Sequence, residues 1–372
     1  MCSNSLSLTR SACKVQAREN LLPTQTVREA LLYEKLRGYK VKCGLCERRC
    51  TIDSGKKGFC KTRLNLDGLL LTLVYGDLSA LESRRIEIKP FFHYWPGSTA
   101  LTFSTWSCNF SCPWCQNHRM SRTEPNPAKS AHFFPQEQVL KVVQYNEDKG
   151  LCGSFQEPTL LIEWVLPLFQ QGRQKGLYSC YVSNGYMTLE ALKLLRQAGM
   201  DGLKIDIKGD QETYKKYCGG VDVEKIWRNV REAKRMGFHL EIVNLLITDV
   251  NDDDECLRWI IKQHLKAVGP ETPLHFTRYH PAHKFSNSPT KVETLEKAYD
   301  MAKKEGVLYP YLGNVEGHKY ENTHCPKCGE LLIQRLGCSI TKYKITDDNK
   351  CPKCSKSIPI TGKHISKWQT LV

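Results

Sequence analysis

Residues 107–115 read Ser-Cys-Asn-Phe-Ser-Cys-Pro-Trp-Cys, three thiols in one short loop with no fourth cysteine beside them in the sequence. A structural zinc site takes four ligands and a disulfide takes two sulfurs, so a Cx3Cx2C group fits neither count. His118 would have to complete a zinc site, and spacing this tight is not a usual zinc pattern. A cubane [4Fe-4S] cluster has four iron corners. Cys108, Cys112 and Cys115 can hold three of them and leave one open to a small molecule.

The loop follows directly on "TALTFST" (99–105), the first of a series of short apolar runs. The others are "LCGSF", "LYSCYVS", "GLKIDIK", "HLEIVNLLI", "LHFTRYH" and "LYPYLGN". Amphipathic stretches such as "TLEALKLLRQAG" and "VEKIWRNVREAKRMG" separate them and end at glycine, as helices commonly do. This alternation predicts parallel strands joined by crossover helices, an α/β fold. Six or seven units fall short of the eight of a closed barrel, so an incomplete (β/α)6-type barrel is expected over residues 96–315. In that architecture the chemistry gathers at the carboxyl ends of the strands. Alternation along "LKIDIKG" sends Leu203, Ile205 and Ile207 to one face and Lys204, Asp206 and Lys208 to the other. Asp206 and Lys208 therefore reach the barrel mouth as candidate catalytic residues, or else simply pair with each other there.

Cysteine grouping separates two flanking parts. Residues 1–95 comprise a polar arm, a helical pattern "TVREALLYEKLRG" (26–38) and "CGLCERRCTIDSGKKGFC" (43–60), with Gly55 and Gly58 supplying the turns. Cys43, Cys46, Cys50 and Cys60 form an irregular four-cysteine module suited either to zinc as a second metal or to an auxiliary [4Fe-4S] cluster. Residues 316–372 carry "CPKCG" and "CPKC", with 22 residues of strand-like alternation between Cys328 and Cys351. Cys325, Cys328, Cys351 and Cys354 thus read as a zinc ribbon, a filled and hence structural site; a rubredoxin-like iron has the same ligands. Cys338 is expected to be a packing residue, as are most of the isolated cysteines, among them Cys152, Cys180, Cys218 and Cys256.

The chain has 372 residues, 18 cysteines and a formal net charge of +15. Thiolates at three occupied sites would reduce that charge to about +10. No secretory leader is read at the start, and grouped cysteines in a reducing compartment favour metal ligation over disulfides, so a cytoplasmic protein is expected. The longest apolar run, "LLLTLV" (69–74), is too short to span a bilayer, and no membrane partner is expected. The basic residues are spread out without an arginine-rich block; a solvated basic surface is the first reading, and nucleic acid stays open as a partner.

The three-cysteine loop, with Trp114 before its third cysteine, resembles the radical S-adenosylmethionine (SAM) signature. The resemblance implies a cluster whose open iron is chelated by the methionine end of SAM, which is then cleaved to a 5′-deoxyadenosyl radical that takes hydrogen from a substrate. It extends to "SFQEP" (154–158), where Glu157 matches the carboxylate meeting the SAM amino group. In "VSNGY" (182–186), Ser183 and Asn184 match the ribose contacts. "DIK" (206–208) matches the fourth strand end of glycyl-radical-enzyme activases, placing Asp206 near SAM. From about Arg28 onward the chain is similar to the radical SAM component of the AmmeMemoRadiSam system, related to pyruvate formate-lyase activating enzymes. "EPTLLIEW", "LLITDVNDDDE" and "YLGNVEGH" also carry this likeness. Phe155-Gln156 departs from the Tyr-Asn of that pattern. Implied partners are a reductant protein such as a ferredoxin or flavodoxin, and a substrate protein or system partner. A radical SAM enzyme modifying RNA and a non-catalytic metal-binding scaffold are the alternatives.

Overall fold

The computed structural model describes residues 25–129 and 133–366. The polar arm and part of the Pro-rich loop 124–135 lie outside the described residues. The helix expected over 26–38 does not form. Strand β1 (Arg28–Glu29) instead pairs with the hairpin of β5 (Arg63–Leu66) and β6 (Leu69–Thr72), while β2 (Tyr33–Lys35) pairs with β3 (Val41–Cys43), which pairs with β4 (Thr51–Ile52). Leu32 and Tyr39, at φ +56° and +59°, break the helical path. The Ala30 amide donates to Leu70 O at 2.8 Å, and Val27 is buried among Leu64, Leu71 and Leu73. Pairing with the hairpin satisfies backbone groups and buries Val27 at once, and so overrides a modest helical propensity.

The main sheet follows. β7 (Ala80–Arg85) runs antiparallel to β8 (Thr99–Ser104), and six more parallel strands continue in sequence order. They are β9 (Gly150–Gly153), β10 (Tyr178–Ser183), β11 (Gly202–Ile207), β12 (His239–Leu246), β13 (Leu274–Arg278) and β14 (Pro310–Gly313). The parallel strands number seven, all at the positions the apolar runs mark; this agrees with the six or seven units expected and is one more than a (β/α)6-type barrel holds. The crossover helices bury one stripe each. In α6 (Val223–Arg235; α1 to α5 are His118–Ser121, Gln136–Tyr145, Ile162–Gln174, Leu189–Gln197 and Gln211–Tyr217) the inward residues are Val223, Ile226, Trp227, Val230 and Ala233, at helical spacing. Asp222 caps it by accepting from the Glu224 amide. Two further helices, α7 (Asp254–Val268) and α8 (Val292–Glu305), complete the outer layer.

The lower, amino-terminal end of the sheet is closed by a buried polar network. Glu241 accepts from the Phe92 and His93 amides at 3.0 and 2.7 Å and contacts His239 Nε2 at 3.0 Å and His275 Nε2 at 2.7 Å. Burial would raise its pKa, but those histidine contacts win and hold it well below the ordinary carboxylate range. The carboxyl-terminal part docks here, with its own sheet of β15 (Thr323–His324), β16 (Leu331–Leu336) and β17 (Ser339–Tyr343). Arg335 donates to Phe92 O at 2.8 Å and to Thr323 Oγ1 at 2.9 Å, and Tyr311 bridges His93 and Thr323.

The amino-terminal sheets share one core with the main sheet. A buried ion pair, Arg63 Nη2 to Glu163 Oε2 at 2.9 Å, ties β5 to α3; the two side chains are 1% and 6% exposed. Removing one partner strands a buried charge, so Glu163→Ala should cost about 3–5 kcal/mol. Chemical denaturation reads this as a lower midpoint, and an unchanged midpoint would deny the pair a structural role. No helix among the described residues is long and apolar enough to cross a membrane.

Candidate active site

A cavity of about 370 Å³ opens at the carboxyl ends of the parallel strands. Cys108, Cys112, Cys115, Trp114, Glu157, Ser183, Asn184, Asp206 and Lys208 all line it, although they come from four different strand ends. Strand alternation supplies the walls. On β11, Leu203, Ile205 and Ile207 are buried in the core while Lys204, Asp206 and Lys208 face the cavity, as read from the sequence.

The cysteine loop is held from outside. Arg122 donates to Phe110 O at 2.6 Å and to Cys112 O at 3.0 Å, so one guanidinium clamps both sides of the turn. Phe110 packs edge-on against Tyr186 and Tyr214, and Trp114 against Tyr217 and Phe285. Burial pushes the Cys108 thiol up to about 12, with the Glu157 charge adding to it. Cys112 goes the other way: a hydrogen bond shared with Cys218 lowers it, and Lys208 and Arg122 reinforce this against burial. The Cys112 and Cys218 sulfurs are 3.6 Å apart. Chain folding thus brings a fourth thiol to the loop, and Cys218 also packs in the core as expected of most of the isolated cysteines. Cys218 is fully buried and follows α5, so only the return of that helix places it there.

Glu157 is a helix cap and a tether together. It caps the short 3-10 turn Pro158–Leu161 through the Thr159 amide, and it also accepts from Ser183 Oγ at 2.9 Å and the Asn184 amide at 2.9 Å. Asn184 Nδ2 donates to Asn109 Oδ1 at 2.7 Å, joining this segment to the cysteine loop. Phe155 adopts φ +71°, a strained backbone for a bulky residue, fixed by Asn117 Nδ2 donating to its carbonyl at 2.7 Å. Next to it, Gln156 is 8% exposed, lines the cavity, and has no hydrogen-bond partner on either amide atom. An unmet buried amide in a cavity wall points to a ligand that satisfies it.

Asp206 pairs with Lys204 at 2.5 Å and with Lys208 at 3.3 Å, so the expected pairing of charges and the expected placement in the cavity both occur. Burial opposes ionisation of Asp206, yet the two lysines keep its pKa below the ordinary value.

The sets differ in sulfur spacing. Cys325, Cys328, Cys351 and Cys354 gather with all sulfurs within 4.8 Å, the 325–354 and 328–351 pairs being 3.5 and 3.6 Å apart. Each knuckle turns at a left-handed residue, Gly329 at φ +74° and Ser355 at φ +57°. A tetrahedral ion with metal–sulfur bonds of about 2.3 Å needs sulfurs about 3.8 Å apart, which this group meets. Among the described residues no other group of three or more histidines, cysteines or carboxylates converges so closely, and Cys108, Cys112, Cys115 and His118 do not form a single-ion site. The three loop cysteines instead line one cavity of about 370 Å³. Asn109, Asn117, Arg122 and Gln156 were missed by sequence reasoning. Their types are ordinary, and only the fold gives Asn109, Asn117 and Arg122 their partners and buries Gln156 in the cavity wall.

A family model described as the Radical SAM superfamily matches residues 104–260. The chain is 38% identical over 339 residues to the uncharacterized protein MJ0808 of Methanocaldococcus jannaschii, a match covering 90% of this chain and 99% of that protein. To GTP 3′,8-cyclase of Lactiplantibacillus plantarum it is 24% identical over 272 residues, covering 62% of this chain and 74% of that one. Among solved structures it is similar to a domain of a pyruvate-formate lyase-activating enzyme from Bacteroides vulgatus, with TM-score 0.39, 19% identity, and coverage of 44% of this chain and 99% of that one. A radical SAM methyltransferase from Sphaerobacter thermophilus gives TM-score 0.47, 12% identity and 80% coverage of both chains.

Proposed function

We propose that the chain is a radical SAM enzyme that cleaves SAM, a reading supported by the Radical SAM superfamily model matching residues 104–260, and that Cys108, Cys112 and Cys115 hold its [4Fe-4S] cluster while Glu157, Ser183, Asn184, Asp206 and Lys208 surround its SAM. The observation that carries this assignment is convergence: three thiols and the ends of β9, β10 and β11 share one cavity with an unsatisfied amide, Gln156. When bound, cluster and SAM together supply one-electron cleavage of the sulfonium and a 5′-deoxyadenosyl radical.

The protein's own residues prepare that site. Arg122 and Asn117 fix the loop before anything binds, which limits the ordering cost on assembly. Glu157 locks the β9 and β10 ends together, and Gln156 presents its amide to the ligand. Asp206 and Lys208 hold opposite charges in a partly buried wall, where Lys208 would meet an anionic group of the ligand and Asp206 orients the lysine. Asp206→Asn and Lys208→Met should therefore leave the iron content and cluster absorbance intact while slowing SAM cleavage or uncoupling it from substrate turnover by tenfold or more. Parent rates and coupling in both variants would return the pair to a structural role.

The substrate class we assign is a protein, with an activase-like hydrogen abstraction, a ferredoxin or flavodoxin as electron donor, and membership of the AmmeMemoRadiSam subfamily. What supports this is the order of "SNGYM", "KIDIKG" and "YLGNVEGH" along the chain. Zinc at Cys325, Cys328, Cys351 and Cys354 completes the assignment, supported by their single-ion spacing. The site reading is tested by electron paramagnetic resonance of the reduced, reconstituted protein. SAM should shift the cluster signal, and a spectrum indifferent to SAM would oppose it.

A further inference from the structure

We infer that Cys43, Cys46, Cys50 and Cys60 bind an iron–sulfur cluster rather than a single zinc ion, with Asn109 and Arg63 donating hydrogen bonds to its sulfurs. The chain contains its own control. The carboxyl-terminal four sulfurs close to single-ion spacing, whereas the amino-terminal four, which line one enclosed pocket, do not. Four thiolates stand farther apart around a cluster, one per iron corner, than around one ion. Their sequence spacing had left both fillings open.

The second observation is independent of sulfur spacing. Asn109 and Arg63 both line this pocket and are 0% and 1% exposed; Arg63 Nε has no hydrogen-bond partner, and Asn109 Nδ2 has none beyond the Cys46 sulfur that it faces. The rest of each side chain is engaged: Arg63 Nη1 donates to Thr72 at 2.6 Å, Nη2 to Glu163 and Leu160 O, and Asn109 Oδ1 accepts from Asn184. A buried donor left without an acceptor is costly, and two donors at one pocket wall call for acceptors inside it. Cluster sulfides and thiolates are such acceptors, and hydrogen bonds to them set the reduction potential. Arg48 closes the outer side, its guanidinium 3.6 Å from the Phe59 ring centre and its Nε donating to Asn109 O.

Asn109 is also the residue after Cys108, so its side chain is the partition between the two cysteine sets. Two reduced clusters on either side of one side chain should couple magnetically. This last point rests on the function proposed above; the pocket assignment does not.

The test uses the full chain, purified and reconstituted without oxygen. The triple variant Cys108→Ala/Cys112→Ala/Cys115→Ala should keep iron and sulfide in equal amounts, with one zinc per chain, and adding Cys50→Ala should remove the iron while the zinc count certifies a folded ribbon. Asn109→Ala in the triple background should keep the iron and shift the midpoint potential downward. The reduced parent should show a broadened, coupled resonance that the triple variant loses. Two zinc ions and no iron in the triple variant would overturn the inference. Iron there with no 5′-deoxyadenosine from the parent would uphold it while defeating the functional reading.

Discussion

Replacing any one of Cys108, Cys112 and Cys115 by Ala is expected to lower 5′-deoxyadenosine formation from reduced protein and SAM to the background without protein. Three thiolates are the minimum that hold a cubane and still leave one iron open, so each loss removes the cluster or its open corner. Folding should survive: the loop is clamped by Arg122 through backbone carbonyls of Phe110 and Cys112, which an alanine at position 112 still provides. Iron and sulfide counts and product analysis by mass spectrometry read the result. Retained product in any of the three variants would sink the ligand assignment.

The second large effect is expected far from the cavity. Cys325→Ser should release one zinc per chain and unfold the module built on β15, β16 and β17, while iron bound elsewhere is retained. That module's own core is small, centred on Leu332, Ile333, Ile345, Ile358 and Ile360, and too little burial is available to hold it alone. Structural zinc contributes on the order of 10 kcal/mol to such modules. Loss of amide-exchange protection at Leu332 and Ile333 is the direct readout. Because Arg335 also secures Phe92 against the closed end of the sheet, a lower melting temperature for the whole chain should accompany it. Iron in place of zinc would favour the rubredoxin-like reading, and a fully protected module would show that the metal is dispensable.

Parallel strands were legible because each is a buried apolar run punctuated by a capped helix, as Thr188 and Gly199 mark for α4. The cysteine loop was legible because its spacing admits few fillings. Residues 26–38 were not. Their apolar spacing suits a helix, and only edges that come later in the chain, the hairpin 63–72 for β1 and Val41–Cys43 for β2, draw them into strands. Nor could sequence reveal that Cys218 would meet Cys112 or that Asn109 would separate two cysteine sets. Those contacts join residues distant along the chain through α5 and the 43–60 loop, and no local pattern encodes them.

The central claim is that the cavity at the strand ends cleaves SAM reductively. Its most direct measurement is quantification of 5′-deoxyadenosine after the anaerobically reconstituted full chain is reduced in the presence of SAM. The account predicts product formed in proportion to enzyme, dependent on reductant, and lost on omission of iron during reconstitution. No product above the protein-free control, from protein whose iron and sulfide counts fill the Cys108, Cys112 and Cys115 site, would contradict it.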